Sequence, residues 1–197
     1  MINTVQIIEH STTRNAVIDL ESKLLQNNII FINEVFEAET VSKWQAEIIY
    51  LTSKMSAKDS EKTPIKLYIN SPGGDVTSLL GLYDVIQLYV SKGYIIETYN
   101  VGEAASAAGI ILLSGSAGHR FALSNATTML HSIQAWHHGS LPDITIESKE
   151  VSRLQEVLEG IMVKHTQHPE LIDFIKRNAY FNAEDALKYG IIDKIQS

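Results

Sequence analysis

Three features of the sequence could do acyl-transfer chemistry together: the glycine pair Gly73-Gly74, the serine Ser106 and the histidine His131. A serine can attack a carbonyl only if a base takes its proton, and the oxyanion that forms needs hydrogen-bond donors already in place. Ser106 sits in Gly102–Gly118, a stretch too small and too apolar for a surface loop, and two alanines flank it on each side. Small neighbours let another backbone approach the hydroxyl, and the run Ile110–Leu113 reads as a buried helix starting at or near the serine. A serine at such a turn has the geometry of a nucleophile elbow. It is equally the geometry of a helix N-cap. Gly73-Gly74 offers unshielded backbone N–H groups or is a plain strand-to-helix turn. His131 is a general base or a satisfied residue at a strand rim.

The elements that must position these residues are legible from period and punctuation. Ile29–Ile32 reads as a short buried strand, and apolar residues at 41, 44, 48, 51 and 55 predict a helix over Glu37–Met55. Ile18–Leu25 also has helical spacing, whereas residues 1–16 read as a mobile arm and Ser56–Pro64 as a charged connection. Ile65–Asn70 is a strand, Ser71–Asp75 a sharp turn and Val76–Val90 a helix with a wide apolar face. Strands follow at Tyr94–Val101, His119–Leu123 and Ala126–His131, with the Ser106 helix between the first two. Ile144–Lys164 is a long amphipathic helix broken at His165–Pro169. Short helices are expected over Glu170–Arg177 and Phe181–Tyr189, the latter capped by Asn182 and stopped at Gly190. The alternation predicts an α/β fold with a largely parallel sheet, from which the 144–164 helix stands off. In such sheets, sites lie beyond the carboxyl ends of strands. Gly73-Gly74, Ser106 and His131 all fall there.

Composition removes several alternatives. The 197 residues fit one domain, and 45% hydrophobic content can bury a sizeable core. A net charge of −7 makes no electrostatic case for nucleic acid. The chain has no cysteine, so disulfides, thiolate metal sites and a cysteine nucleophile are excluded. No stretch has the length of a membrane span, and the N-terminus lacks the features of a signal peptide, so a cytoplasmic protein is expected. His137 and His138 are adjacent and point apart, and Pro169 interrupts His165 and His168, so no metal site and no cofactor are expected. The Ser71–Asp75 turn has no phosphate-loop lysine.

Leu67 to Gly74, Tyr83-Asp84, Gly102 with Ala104-Ala105-Ser106, then Arg120, Ala122-Leu123, Asn125, Met129 and His131, and finally Ala183-Glu184 and Tyr189–Asp193, resemble the proteolytic subunit of the Clp protease. The resemblance runs from about Val5 to Ile195. It implies an α/β, crotonase-like repeated β-β-α spiral with a protruding handle helix. Residues 1–16 would form an axial loop, 17–131 and 170–197 the head, and 132–169 the handle region with its helix at 140–165. Ser106 would be the nucleophile and His131 the base, with Gly73, Gly74 and Ala107 forming the oxyanion hole. The implied assembly is two stacked heptameric rings, of one subunit or of mixed subunits, fed with unfolded polypeptide by an AAA+ Clp ATPase unfoldase. Arg177 would link ring contact to the active site.

Two departures from the family pattern stand out. The family's third residue is an aspartate, and the matching position is Asn178. An amide can orient an imidazole but cannot offset its charge, and in a serine protease triad that exchange costs about 10⁴ in kcat when the tautomer goes wrong. After the histidine the family has Gln-Pro and a glycine pair, whereas here the run is Ser132-Ile133-Gln134-Ala135-Trp136. The expected function is a serine endopeptidase subunit. The alternative is a low-activity or structural paralogue subunit in a mixed barrel, and a crotonase-like acyl-CoA enzyme is remote.

Overall fold

The computed structural model describes residues 5–10, 15–136 and 138–196. The chain begins with an antiparallel pair, β1 (Gln6–His10) and β2 (Asn15–Asp19). Paired strands therefore occupy much of the span expected to be an arm, while residues 1–4 and 11–14 lie outside the described residues. Asp19 closes β2 and caps α1 (Leu20–Leu25), its carboxylate accepting from the Ser22 N–H at 2.8 Å. The helix expected from Ile18 is thus a strand end followed by a shorter helix. Next come β3 (Ile29–Ile32), α2 (Ala38–Lys54) and α3 (Ala57–Ser60), a single turn capped by Ser56 within the expected connection.

The body is α/β with a mixed, mainly parallel sheet. β4 (Ile65–Ser71) leads into α4 (Val76–Ser91), whose N-cap is Asp75, accepting from the Ser78 N–H at 2.7 Å. β5 (Ile96–Ala105) leads directly into α5 (Ala107–Leu113), and β6 (Arg120–Leu123) and β7 (Thr127–Leu130) follow. Along β4 every second side chain, Ile65, Leu67 and Ile69, is buried. The opposite face carries Phe31, Tyr68, Tyr99 and Phe121, which are register partners and stack at 5.4, 4.9 and 4.7 Å. β5 is shared: Thr98–Asn100 pair with β6, and Glu103–Ala105 pair with β7.

The remainder is α6 (Leu141–Thr166), α7 (Leu171–Phe174), β8 (Ala179–Phe181), α8 (Ala183–Lys188) and β9 (Lys194–Gln196). Asn182 caps α8 and Gly190 follows it at φ 66, as their residue types predict. Only Leu158, Ile161, Met162 and Thr166 of α6 are buried, so its first four turns stand off the body with Leu141 and Ile146 exposed. A partly buried ion pair fastens the other end. Arg120 donates to Asp193 through Nε at 2.9 Å and through a terminal nitrogen at 2.6 Å, and donates to the His165 carbonyl at 3.1 Å. Among the described residues no helix is long and apolar enough to cross a membrane.

A cavity of about 400 Å³ lies between the chain around Val5, Leu20 and Leu24 and the α2 residues Lys43 and Glu47. Lys43 pairs with Glu21 there. Burial pushes the Glu47 carboxyl up to about 7, and Lys43 offsets only part of that shift. A carboxyl whose pKa is raised by folding binds more protons folded than unfolded, so stability is lost as pH rises from about 4.5 towards 7. Glu47→Gln is expected to leave the thermal midpoint unchanged at pH 5 and to raise it by about 2 °C at pH 8, as read by calorimetry. An equal shift at both pH values would mean that Glu47 is not the titrating group.

Candidate active site

Ser106 occupies the junction between β5 and α5 at φ 55, ψ −119. That backbone region is sparsely populated for any residue with a Cβ and costs on the order of 1–3 kcal/mol. Two flanking elements hold it. Its N–H donates to the Met129 carbonyl at 2.7 Å, continuing the β5–β7 ladder, and its carbonyl accepts from Ile110 at 3.3 Å, opening α5. All seven residues of α5 are buried, which anchors the turn from behind. The side chain of Ser106 makes no capping bond to the helix. Its Oγ instead meets His131 Nε2 at 2.9 Å.

His131 lies just past the end of β7. The shared ladder Ala105↔Met129 sets the ends of both strands side by side, and so the two side chains. The pair opens onto a cavity of about 270 Å³ that Gly74 and Ala107 also line, with Val76, Ile110, Leu158 and Met162 supplying apolar wall. Gly73 lies beneath the serine. At φ 89, an added Cβ there would come within 2.5 Å of the Ala105 carbonyl and 2.8 Å of the Ala107 nitrogen. The Gly73 N–H is already donated to Ser71 Oγ at 3.1 Å. Of the three expected oxyanion residues, Gly74 and Ala107 therefore face the cavity, and Gly73 makes the close approach of turn to elbow possible. Ser71 was not singled out by sequence reasoning. Its hydroxyl donates to the Glu34 carbonyl at 2.6 Å while accepting from Gly73, so it pins the turn on both sides. A serine two residues before a glycine in a turn is the signal that could have found it.

Asn178 is exposed and is not bonded to His131, whose Nδ1 is buried without a hydrogen-bond partner. Its location is nevertheless specific. β7 and β8 pair antiparallel as Thr128↔Phe181, Met129↔Tyr180 and Leu130↔Ala179. Continued by one residue, that register sets Asn178 opposite His131. The neighbouring Arg177 is also exposed. His165 is bonded to the Tyr83 hydroxyl at 3.0 Å, and burial first, then Lys164 and Arg120, push its pKa down to about 4. It is a neutral packing residue between α4 and α6. His168 pairs with Glu170 at 2.7 Å. His137 lies outside the described residues.

The model of the Clp protease family matches residues 12–197. The chain belongs to the Clp protease family. An ATP-dependent Clp protease proteolytic subunit from Dehalococcoides mccartyi (strain ATCC BAA-2266 / KCTC 15142 / 195) is 37% identical over 96% of this chain and 92% of its own length. ATP-dependent Clp protease proteolytic subunit 2 from Frankia casuarinae is 34% identical over 96% of this chain and 84% of its own. A second Dehalococcoides mccartyi Clp protease proteolytic subunit, from strain ATCC BAA-2100 / JCM 16839 / KCTC 5957 / BAV1, is 35% identical over the same shares as the first. The matched span takes in Ser106, His131 and Asn178.

Proposed function

We propose that this Clp protease subunit is a serine endopeptidase in which Ser106 is the nucleophile and His131 the general base. The observation that carries the assignment is the 2.9 Å bond between Ser106 Oγ and His131 Nε2 at the mouth of the cavity. Ser106 Oγ attacks the scissile carbonyl as Nε2 takes its proton. The backbone N–H groups of Gly74 and Ala107 receive the oxyanion, the N–H of Ala107 being free of an intrahelical partner because it begins α5. The imidazolium then protonates the leaving amine, and water, activated by the same nitrogen, hydrolyses the acyl-enzyme. An extended polypeptide fits this chemistry because its backbone can pair with strand ends irrespective of side chain.

The structural-paralogue reading is not favoured. The relatives are named proteolytic subunits, and Ser106 and His131 are bonded to each other. The proposal includes assembly into two stacked heptameric rings, with a Clp ATPase delivering unfolded chains, Arg177 linking ring contact to the site, and a cytoplasmic location. The exposed apolar residues Leu141 and Ile146 on α6 support an oligomeric role for the handle.

Asn178 is the proposed orienting residue. Its amide oxygen can accept the Nδ1 proton of His131 and so keep Nε2 free for the serine. Asn178→Asp would add a charge facing the imidazolium. Peptide turnover is expected to rise about ten- to hundred-fold, and the acid limb of its pH profile to move up by about one unit. If plateau and limb both stay where they are, Asn178 is not the orienting residue.

A further inference from the structure

The imidazole of His131 has one hydrogen bond, to Ser106, and its buried Nδ1 has none. In this structure Asn178 stands opposite without bonding to it, so the backbone that carries the ring contributes to its orientation. Residues 131–136 belong to no helix or strand, and two successive amides fix the path there. The Ser132 N–H donates to the Ile175 carbonyl at 2.7 Å, and the Ser132 hydroxyl donates to the same oxygen at 2.9 Å. The Ile133 N–H donates to Gln155 Oε1 at 2.8 Å, across from the middle of α6. Gln155 is itself held, its Nε2 donating to Glu159 Oε1 at 2.8 Å one turn along the helix. The amide can face only this way: a backbone N–H only donates and an ionised carboxylate only accepts, so the oxygen must meet Ile133 and the nitrogen must meet Glu159.

We propose that Gln155 is a positioning residue for His131, and that through the Ile133 N–H it couples the handle helix to the general base. The inference rests on the reading of His131 as that base. Two anchors on different elements define the chain direction immediately after the histidine. Without Gln155, a half-buried N–H loses its acceptor and the segment turns to find another. The displacement passes to a ring that has only its serine bond to resist it. This bond gives the handle a directional grip on the segment that carries His131.

The test uses the full chain in its assembled form, with size-exclusion chromatography confirming that each variant assembles as the wild type does. Gln155→Leu keeps the volume and removes the acceptor. It is expected to lower kcat about tenfold with KM within about twofold, and to slow fluorophosphonate labelling of Ser106 by the same factor. Ile133→Pro removes the donor, so in that background Gln155→Leu is expected to have no further effect. Glu159→Ala frees the Gln155 amide without deleting it and gives a smaller loss. Wild-type kcat and labelling in Gln155→Leu would overturn the proposal, as would an equal loss in the Ile133→Pro background. If Ile133→Pro fails to assemble, the carbon-13 signal of the His131 ring decides: an altered signal in Gln155→Leu supports the coupling, and an unaltered one overturns it. The same signal judges Gln155 should the wild type neither label nor cleave, an outcome that would instead defeat the assignment of Ser106 and His131.

Discussion

Ser106→Ala is expected to lower peptide turnover by a factor on the order of 10⁶, equivalent to about 8 kcal/mol of transition-state stabilisation, while leaving the fold intact. The size follows from the proposed assignment, in which nucleophile and base act as one unit, so that losing the serine removes most of what the pair supplies together. The fold survives because Oγ bonds only to His131 and makes no capping bond to α5. The unusual backbone at φ 55 is held by the Met129 and Ile110 main-chain bonds, which alanine retains. Circular dichroism should be superimposable on wild type, and fluorophosphonate labelling should vanish. Residual labelling at wild-type rate would place the nucleophile elsewhere.

Gly73→Ala is expected to be strongly damaging to both the fold and the site. It sets a Cβ 2.5 Å from the Ala105 carbonyl, 2.8 Å from the Ala107 nitrogen and 2.9 Å from the Ser106 Cβ, and it does so at φ 89. Two of these neighbours are backbone atoms of the elbow and cannot swing aside, so the turn must lift off the serine. Strain and overpacking together put the loss of stability on the order of 3–4 kcal/mol. Serine labelling should fall at least about a hundredfold, because Gly74 moves with the turn and the donors lose their aim. Gly160→Ala is the control. Nothing lies within 4 Å of its added Cβ, and it sits within α6, where alanine is the better helix former. If thermal melts show the two substitutions to be equivalent, the close approach at Gly73 does not matter.

The candidate site was legible in the sequence to the extent that its residues sit at ends of strongly patterned elements. The strand Ile65–Ser71 alternates, α4 and α8 carry capping residues, and Ser106 and His131 follow apolar runs, so their location past strand ends could be read directly. What was not legible has no local pattern. β8 is three residues long, too short to show a period, and exists because β7 offers it an edge. β2 and α1 share a stretch whose apolar spacing satisfies either period, and the break comes from the Asp19 cap. Gln155 carries no signal, since a polar residue on an amphipathic helix reads as solvated until the neighbouring segment is known. The same holds for Gly73, whose type announces a tight turn but not that its N–H is already taken by Ser71.

The four residues of β7 have one edge on β5 and the other on β8. The first edge sets the distance from serine to histidine; the second determines which residue stands behind the histidine. Since a ladder cannot slip by one residue without turning every side chain over, Ser106 and His131 are locked in register while the position opposite the histidine is a surface site just before a separate strand. Selection can therefore exchange the residue at 178 without disturbing the bond at 2.9 Å between Ser106 and His131. With Asn178 as the proposed orienting residue, that member is a replaceable part, and turnover would be tunable there while the Ser106–His131 geometry stays unchanged.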